Sequence, residues 1–251
     1  MISVLTLVAA AWLPQHIENF VVNGVTRRAI VCTPSKPSKN PPIVFGFHGH
    51  GGNMQGTATY FNIQGSWPEA IVVYPQGLNT PSRLDPQGTK PGWQPWQGED
   101  GDRDLKLFDV MYKQLSQEYS FDKKRVYSVG FSNGSIFSYV LWSQRLKKVA
   151  AVALAAGVLF DQNKPLKPLP AFLMAGQQDN TAHFPELLKA IKYVKIVDGV
   201  PLSAPQPTVG VVKKYNGSHA DVLVYIHSGG HLYPTTMTPK VVTFFKHHPQ
   251  S

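Results

Sequence analysis

The 251-residue sequence predicts an α/β fold, with a mostly parallel central sheet, helices on both faces and a single domain over residues 15–250. Three observations predict it. Short apolar runs alternate with amphipathic stretches along the chain. Runs such as Ile43-Val44-Phe45-Gly46-Phe47 and Ile71-Val72-Val73-Tyr74 are continuously apolar, as in strands covered on both faces. Hydrophobic residues make up 43% and charged residues 16%, a balance that supports a buried core and argues against disorder.

The elements follow in order. Ile17 to Val22 and Val25 to Cys32 flank Asn23-Gly24, a two-residue hairpin signal. Pro34 to Pro42 reads as a loop, followed by the strands at Ile43 to Phe47 and Ile71 to Tyr74. Residues 76–103 are irregular and hold Trp93 and Trp96; a loop this long in a compact domain is usually functional. Asp104 to Tyr119 reads as a helix, because Leu105, Phe108, Met111, Tyr112 and Leu115 recur at helical spacing. Arg125 to Val129 is a strand and Asn133 to Leu146 a helix. Val149 to Ala155 and Ala171 to Ala175 are strands on either side of the Pro165 to Pro170 loop. A helix with proline in its first turn, Pro185 to Val194, a strand, Asp221 to His227, and a closing helix, Pro239 to His247, complete the series. In such sheets ligands bind outside the carboxyl ends of the strands.

Composition narrows the function classes. The net charge is +9, but the lysines are scattered and no basic stripe is interleaved with aromatics, so nucleic-acid binding is not expected. No run reaches the ~18 apolar residues of a membrane span. The single cysteine, Cys32, can make neither an internal disulfide nor a Cys-based metal site, and its strand context predicts a buried small hydrophobe. Met1 to Ala11 is apolar and ends in Ala9-Ala10-Ala11, which reads as a signal-peptide remnant of an exported protein; a truncated start or a first buried strand are competing readings. A monomer is expected.

Gly130-Phe131-Ser132-Asn133-Gly134 fits G-x-S-x-G between a predicted strand and a predicted helix, the setting of a nucleophile elbow. The turn must be tight, so bulky neighbours would clash, and the following helix aims its N–H groups at developing negative charge. A serine hydroxyl needs a base. Asp179, just past the strand ending at Ala175, and His231, after Ser228-Gly229-Gly230, follow in the order Ser, Asp, His. Asp161 and Asp198 are weaker rivals for the acid, and His219 and His227 for the base. His48-Gly49-His50-Gly51-Gly52 follows a core strand; the backbone N–H groups of His50 and Asn133 are assigned to an oxyanion hole. His48 and His50 could also be read as metal ligands, but no Asp, Glu or Cys adjoins them. Trp93, Trp96 and Tyr233 are candidates for an aromatic wall around the substrate, with ordinary packing as the competing role.

Together these segments resemble the polyhydroxybutyrate depolymerase and feruloyl esterase family, the carbohydrate-esterase branch of the α/β-hydrolases. Trp93 to Trp96 ahead of Asp102-Arg103-Asp104, Arg125-Val126-Tyr127, Gly176-Gln177-Gln178-Asp179 and Gly229-Gly230-His231-Leu232-Tyr233-Pro234 contribute to the match. The resemblance implies an α/β-hydrolase fold and a secreted serine esterase. Its substrates would be feruloyl or acetyl esters on polysaccharide, or short polyesters, and it would need no metal or organic cofactor. It carries Ser132, Asp179 and His231 over as the triad. The chain departs from the pattern at Ser135, where a second glycine is common, at Asn180-Thr181-Ala182-His183, at Leu232-Tyr233 after the histidine, and in having no disulfide partner for Cys32. Competing functions are a peptidase or lactone hydrolase on the same fold, or a catalytically silent carbohydrate-binding homologue.

Overall fold

The computed structural model describes residues 15–36 and 38–250; the signal-peptide reading of residues 1–11 lies outside them. The chain opens with β1 (Gln15–Val22) and β2 (Val25–Cys32), an antiparallel hairpin. Its turn residues Asn23 and Gly24 have φ of 51° and 80°, the left-handed pair that a two-residue hairpin requires. Next come β3 (Ile43–Phe47), α1 (Met54–Phe61), α2 (Ile63–Ser66) and β4 (Ile71–Pro75). The long segment before α3 (Arg103–Glu118) contains a short ribbon of β5 (Leu78–Asn79) and β6 (Pro91–Gly92). Then follow β7 (Val126–Phe131), α4 (Asn133–Arg145), β8 (Ala151–Ala155), β9 (Ala171–Gly176), α5 (Phe184–Val197), β10 (Val212–Asn216), β11 (Asp221–His227) and α6 (Thr238–Lys246).

Among the described residues, nine strands form one sheet in the order β1-β2-β4-β3-β7-β8-β9-β11-β10. The six from β4 to β11 run parallel, and β2 and β10 join them antiparallel. Side chains alternate across the sheet. Ile43, Phe45 and Phe47 face a core shared with Leu105, Phe108, Phe137 and Leu187 of α3, α4 and α5. Val44, Val72 and Tyr74 face the opposite core, closed by Met54 and Phe61 of α1 and by Val241 and Phe245 of α6. This two-sided burial is why the central strands read as unbroken apolar runs. Cys32 is fully buried in the second core, and burial pushes its thiol up to about 11.

Besides the short β5-β6 ribbon, three elements were not legible in the sequence. α1 and α2 carry Gly56, Thr57 and Gly65, poor helix formers; packing of Met54, Ala58 and Phe61 and the Asn53 cap, whose Oδ1 accepts the Gly56 N–H at 2.7 Å, hold them in place. β10 is a polar edge strand in which only Tyr215 is buried, so the apolar signal of a strand is missing.

A buried ion pair and a buried carboxyl fix the frame. Arg27 of β2 donates through Nη2 to Asp104 Oδ1 at 2.8 Å, with both side chains out of solvent. Asp104 Oδ2 accepts the Gln94 N–H at 2.9 Å, which ties the long loop to the start of α3. At the end of α5, the buried Asp198 accepts the Leu169 N–H at 3.0 Å on one oxygen, while its other oxygen has no partner among the described residues. Burial pushes this carboxyl up to about 7.

Asp104→Ala leaves the Arg27 guanidinium buried without a counter-charge, so urea unfolding should show a loss of about 3–5 kcal/mol; a loss under ~1 kcal/mol would contradict this role. Asp198 keeps its proton in the folded chain up to about pH 7, whereas its ordinary value is 3.8. Its contribution to stability is therefore full below about pH 4 and is lost as pH rises towards 7 and beyond. Asp198→Asn retains the acceptor for Leu169 without the charge. Its gain over the parent should grow across that window at up to about 1.4 kcal/mol per pH unit. An equal difference at pH 4.5 and pH 8 would contradict the assignment.

Candidate active site

The strand order reverses between β3 and β7, and the carboxyl ends of the parallel strands open there to a common edge. Ser132 lies at the junction of β7 and α4 with φ 54° and ψ −120°, a backbone conformation that non-glycine residues rarely adopt. The flanking glycines explain how the turn closes. A Cβ on Gly130 would lie 2.4 Å from the Gly134 carbonyl oxygen, and one on Gly134 would lie 2.1 Å from the carbonyl oxygen of Phe47. The turn is thus pressed against the end of β3. Ser132 N–H donates to the Ala155 carbonyl at 2.8 Å, anchoring the elbow to β8 as well.

Ser135, where the family pattern favours glycine, is fully buried; its hydroxyl lies 2.7 Å from the Gly130 carbonyl oxygen and 2.8 Å from that of Ala155. Gly157 makes the room, since a Cβ there would be 2.2 Å from Ser135 Cβ. The departure is absorbed within the elbow and adds a tie between it and β8.

Ser132 Oγ is 2.8 Å from His231 Nε2, and His231 Nδ1 is 2.8 Å from Asp179 Oδ2. Asp179 is buried, and its Oδ1 accepts the N–H groups of Thr181 and Ala182 at 2.9 and 2.8 Å. Those two bonds orient the carboxylate so that its other oxygen faces the imidazole. The Asp179 and His231 loops are joined directly, by Gln178 N–H donating to the Gly229 carbonyl at 3.0 Å. Gly176 permits this, because a Cβ there would be 2.3 Å from the Gly230 carbonyl oxygen. His227 serves the turn instead of the serine: its Nδ1 accepts the Gly229 N–H at 3.2 Å. The other rivals are engaged elsewhere. Asp161 pairs with Lys164 at 2.7 Å, Asp198 caps α5, and His219 lies beside Ser218.

His50 and Asn133 both border the cleft with Ser132, and among the described residues neither backbone N–H has an acceptor. The His48 ring is occupied on both sides. Its Nδ1 donates to the Gly49 carbonyl at 2.8 Å and its Nε2 accepts the Gly77 N–H at 3.0 Å, which leaves no lone pair for a metal. Burial lowers this imidazole to about 4, so it is neutral near pH 7. His50 Nε2 donates to Asp85 Oδ2 at 3.2 Å. Desolvation works to raise the Asp85 carboxyl, but hydrogen bonds from Thr89, Lys90 and His50 outweigh it and hold the group down at about 2. No group of three or more potential metal ligands occurs among the described residues.

Several side-chain contacts around the site gave no sequence signal. The Asn133 side chain clasps the Trp93 backbone, accepting its N–H at 2.7 Å and donating to its carbonyl at 3.0 Å. Gln94 Oε1 accepts the N–H groups of Asp104 and Leu105 at 3.0 and 3.2 Å. Arg83 donates to the Thr181 carbonyl at 2.9 Å, linking the long loop to the Asp179 loop. Each of these partners is distant in sequence, and none follows a recognisable spacing.

Of the three residues expected in an aromatic wall, Trp93 and Trp96 border the cleft and Tyr233 does not. The Trp93 indole is fully buried: it stacks on Phe137, meets Phe47 edge-on at 5.2 Å, and donates to the His48 carbonyl at 2.9 Å. Tyr233 is 1% exposed and packs against Phe61 at 4.5 Å, with its hydroxyl on Thr238; it does not line the cleft. Trp96 does line it, edge-on to Phe160 at 5.5 Å. The cleft has a volume of about 650 Å³ and apolar walls that include Leu84, Ile136 and Leu159.

No family model matches the chain. It is 31% identical, over 65% of its length, to the bifunctional acetylxylan esterase/xylanase of Neocallimastix patriciarum, covering 23% of that protein. It is 30% identical, over 54% of its length, to feruloyl esterase D of Neurospora crassa, covering 47%. The chain thus spans half or less of these curated relatives. Among solved structures, the acetyl xylan esterase from Aspergillus awamori aligns with TM-score 0.70 at 16% identity, covering 92% of this chain and 99% of that one. The Bacillus cereus carboxylesterase aligns with TM-score 0.63 at 18% identity, covering 88% and 94%. With its parallel sheet and these neighbours, the chain has the α/β-hydrolase fold, and about half to two thirds of its length is similar to proteins named acetylxylan and feruloyl esterase.

Proposed function

We propose that this chain is a serine esterase that cleaves acyl groups from polysaccharide through an acyl-enzyme. The observation that carries the reading is the unbroken relay from Asp179 through His231 to Ser132, with both contacts at 2.8 Å. Asp179 keeps the proton of the imidazole on Nδ1, which leaves the Nε2 lone pair facing the serine hydroxyl. His231 takes the serine proton as Ser132 Oγ attacks the ester carbonyl. The N–H groups of His50 and Asn133 receive the oxyanion. The imidazolium then protonates the departing alcohol, and water, activated by the same histidine, releases the acid and frees the serine.

The cleft argues for the acyl class. About 650 Å³ with walls of Trp96, Phe160, Leu84 and Leu159 exceeds what an acetyl group fills and suits an aromatic acid. The relatives named acetylxylan and feruloyl esterase favour sugar esters over peptides, lactones or a silent binding role. Among the described residues no helix is long and apolar enough to cross a membrane. Export belongs to the proposal as well, since acylated polysaccharide is an extracellular substrate.

Ser132→Ala should lower kcat/KM on hydroxycinnamoyl and aryl esters by at least ~10³-fold with the unfolding midpoint preserved. A variant that keeps more than a tenth of the activity would contradict the reading. Trp96→Ala should reduce the preference for hydroxycinnamoyl over acetyl esters by roughly tenfold, measured as the ratio of kcat/KM values. An unchanged ratio would remove Trp96 from the acyl pocket.

A further inference from the structure

A second depression adjoins the cleft at His50. About 400 Å³ lies over the His48 to Asn53 turn, Tyr60 and Phe131. It shares Gly56, Tyr60 and Phe61 with an open groove of about 800 Å³ that ends at Thr235 and Thr236. A chain of rings leads the same way. His231 faces Phe131 at 5.0 Å, Phe131 faces Tyr60 at 6.4 Å, and Tyr60 is 40% exposed. The groove therefore begins beside the imidazole that must hand its proton to the leaving alcohol.

Its lining is chemically distinct. In a chain of net charge +9, no Lys, Arg, Asp or Glu among the described residues lines this groove. The exposed groups are Gln55, Thr59, Asn62, Thr235 and Thr236, around the face of Tyr60. Among the described residues the side chains of Gln55, Thr59, Thr235 and Thr236 have no hydrogen-bond partner within the chain. Free hydroxyls and amides both donate and accept, and an exposed aromatic face packs against C–H surfaces.

We propose that this groove binds the neutral glycan chain that bears the scissile ester, through sugar units that carry no acyl group. The proposal rests on the esterase reading for the direction of the substrate: acyl group into the apolar cleft, sugar chain along the polar groove. A neutral sugar offers many hydroxyls and needs no counter-charge. A polyester offers acceptors only and would leave the donors of Gln55 and the threonines unused. A polyanion would find no cation among the lining residues.

Binding of unesterified xylohexaose to the Ser132→Ala protein, followed by calorimetry and by amide chemical-shift mapping, tests the assignment without any hydrolysis. The expected result is saturable binding with shifts clustered at residues 55–62 and 235–236. Affinity should fall at least tenfold in Tyr60→Ala and in Thr236→Arg, the latter a change at an exposed position that keeps the fold testable. No binding, shifts confined to other surfaces, or equal affinity in folded variants would overturn it. So would tighter binding of a hydroxybutyrate oligomer than of the sugar. Aryl-ester hydrolysis by the parent protein separates the two readings. Hydrolysis without sugar binding removes the groove alone, and sugar binding without hydrolysis removes the esterase reading alone.

Discussion

Close backbone contact at the end of β3 is the constraint on which the cleft depends. Gly134 meets the Phe47 carbonyl so tightly that no Cβ fits between them, and Gly130 meets Gly134 in the same way. That contact forces Ser132 into its left-handed conformation and holds its hydroxyl above the sheet edge. It also brings the first turn of α4 beside the His48 to Gly52 segment. The two N–H groups suited to an oxyanion thereby border one cleft, although His50 and Asn133 lie 83 positions apart in the sequence.

Around this contact, a polar network holds the long loop in place. Asn133 clasps Trp93, Gln94 binds the start of α3, and Asp104 is fixed in turn by Arg27. Asp85 holds the His50 ring, and Arg83 reaches the Thr181 carbonyl on the opposite side. The loop therefore joins the turn at Ser132, the His48 to Gly52 segment and the Asp179 loop into one wall. If Ser132, His231 and Asp179 react as proposed, a segment with this many hydrogen bonds supplies the hold near productive geometry on which rates depend.

Much of this was legible in the sequence, for identifiable reasons. Apolar runs buried on both faces marked β3, β4, β8 and β9, and helical spacing marked α3. The glycines around Ser132 and before His231 are demanded by close approach, so they leave a local signature. The helices α1 and α2 lacked one, because their stability comes from packing against β3 and β4 and not from propensity. The roles of Arg27, Asp85 and Gln94 depend on partners far along the chain, which spacing does not reveal. Tyr233 shows the limit of composition: an aromatic residue near a motif is as easily core as pocket wall, and here its ring packs on Phe61 away from the cleft that Trp93 and Trp96 border. Ser135 and Gly157 show a local departure compensated by a residue that only the fold brings near.

The cleft and the groove divide the surface around Ser132 into an apolar side and a neutral polar side, with His231 between them. That division has meaning only if Ser132 is the nucleophile and the His50 and Asn133 N–H groups receive the oxyanion. The most direct measurement is a crystal structure of the protein treated with an aryl alkylphosphonate, together with the mass of the intact adduct. The account predicts a single covalent addition at Ser132 Oγ, with the phosphonyl oxygen within hydrogen-bond distance of both N–H groups. An unmodified Ser132, or an adduct whose oxygen points away from His50 and Asn133, would contradict it.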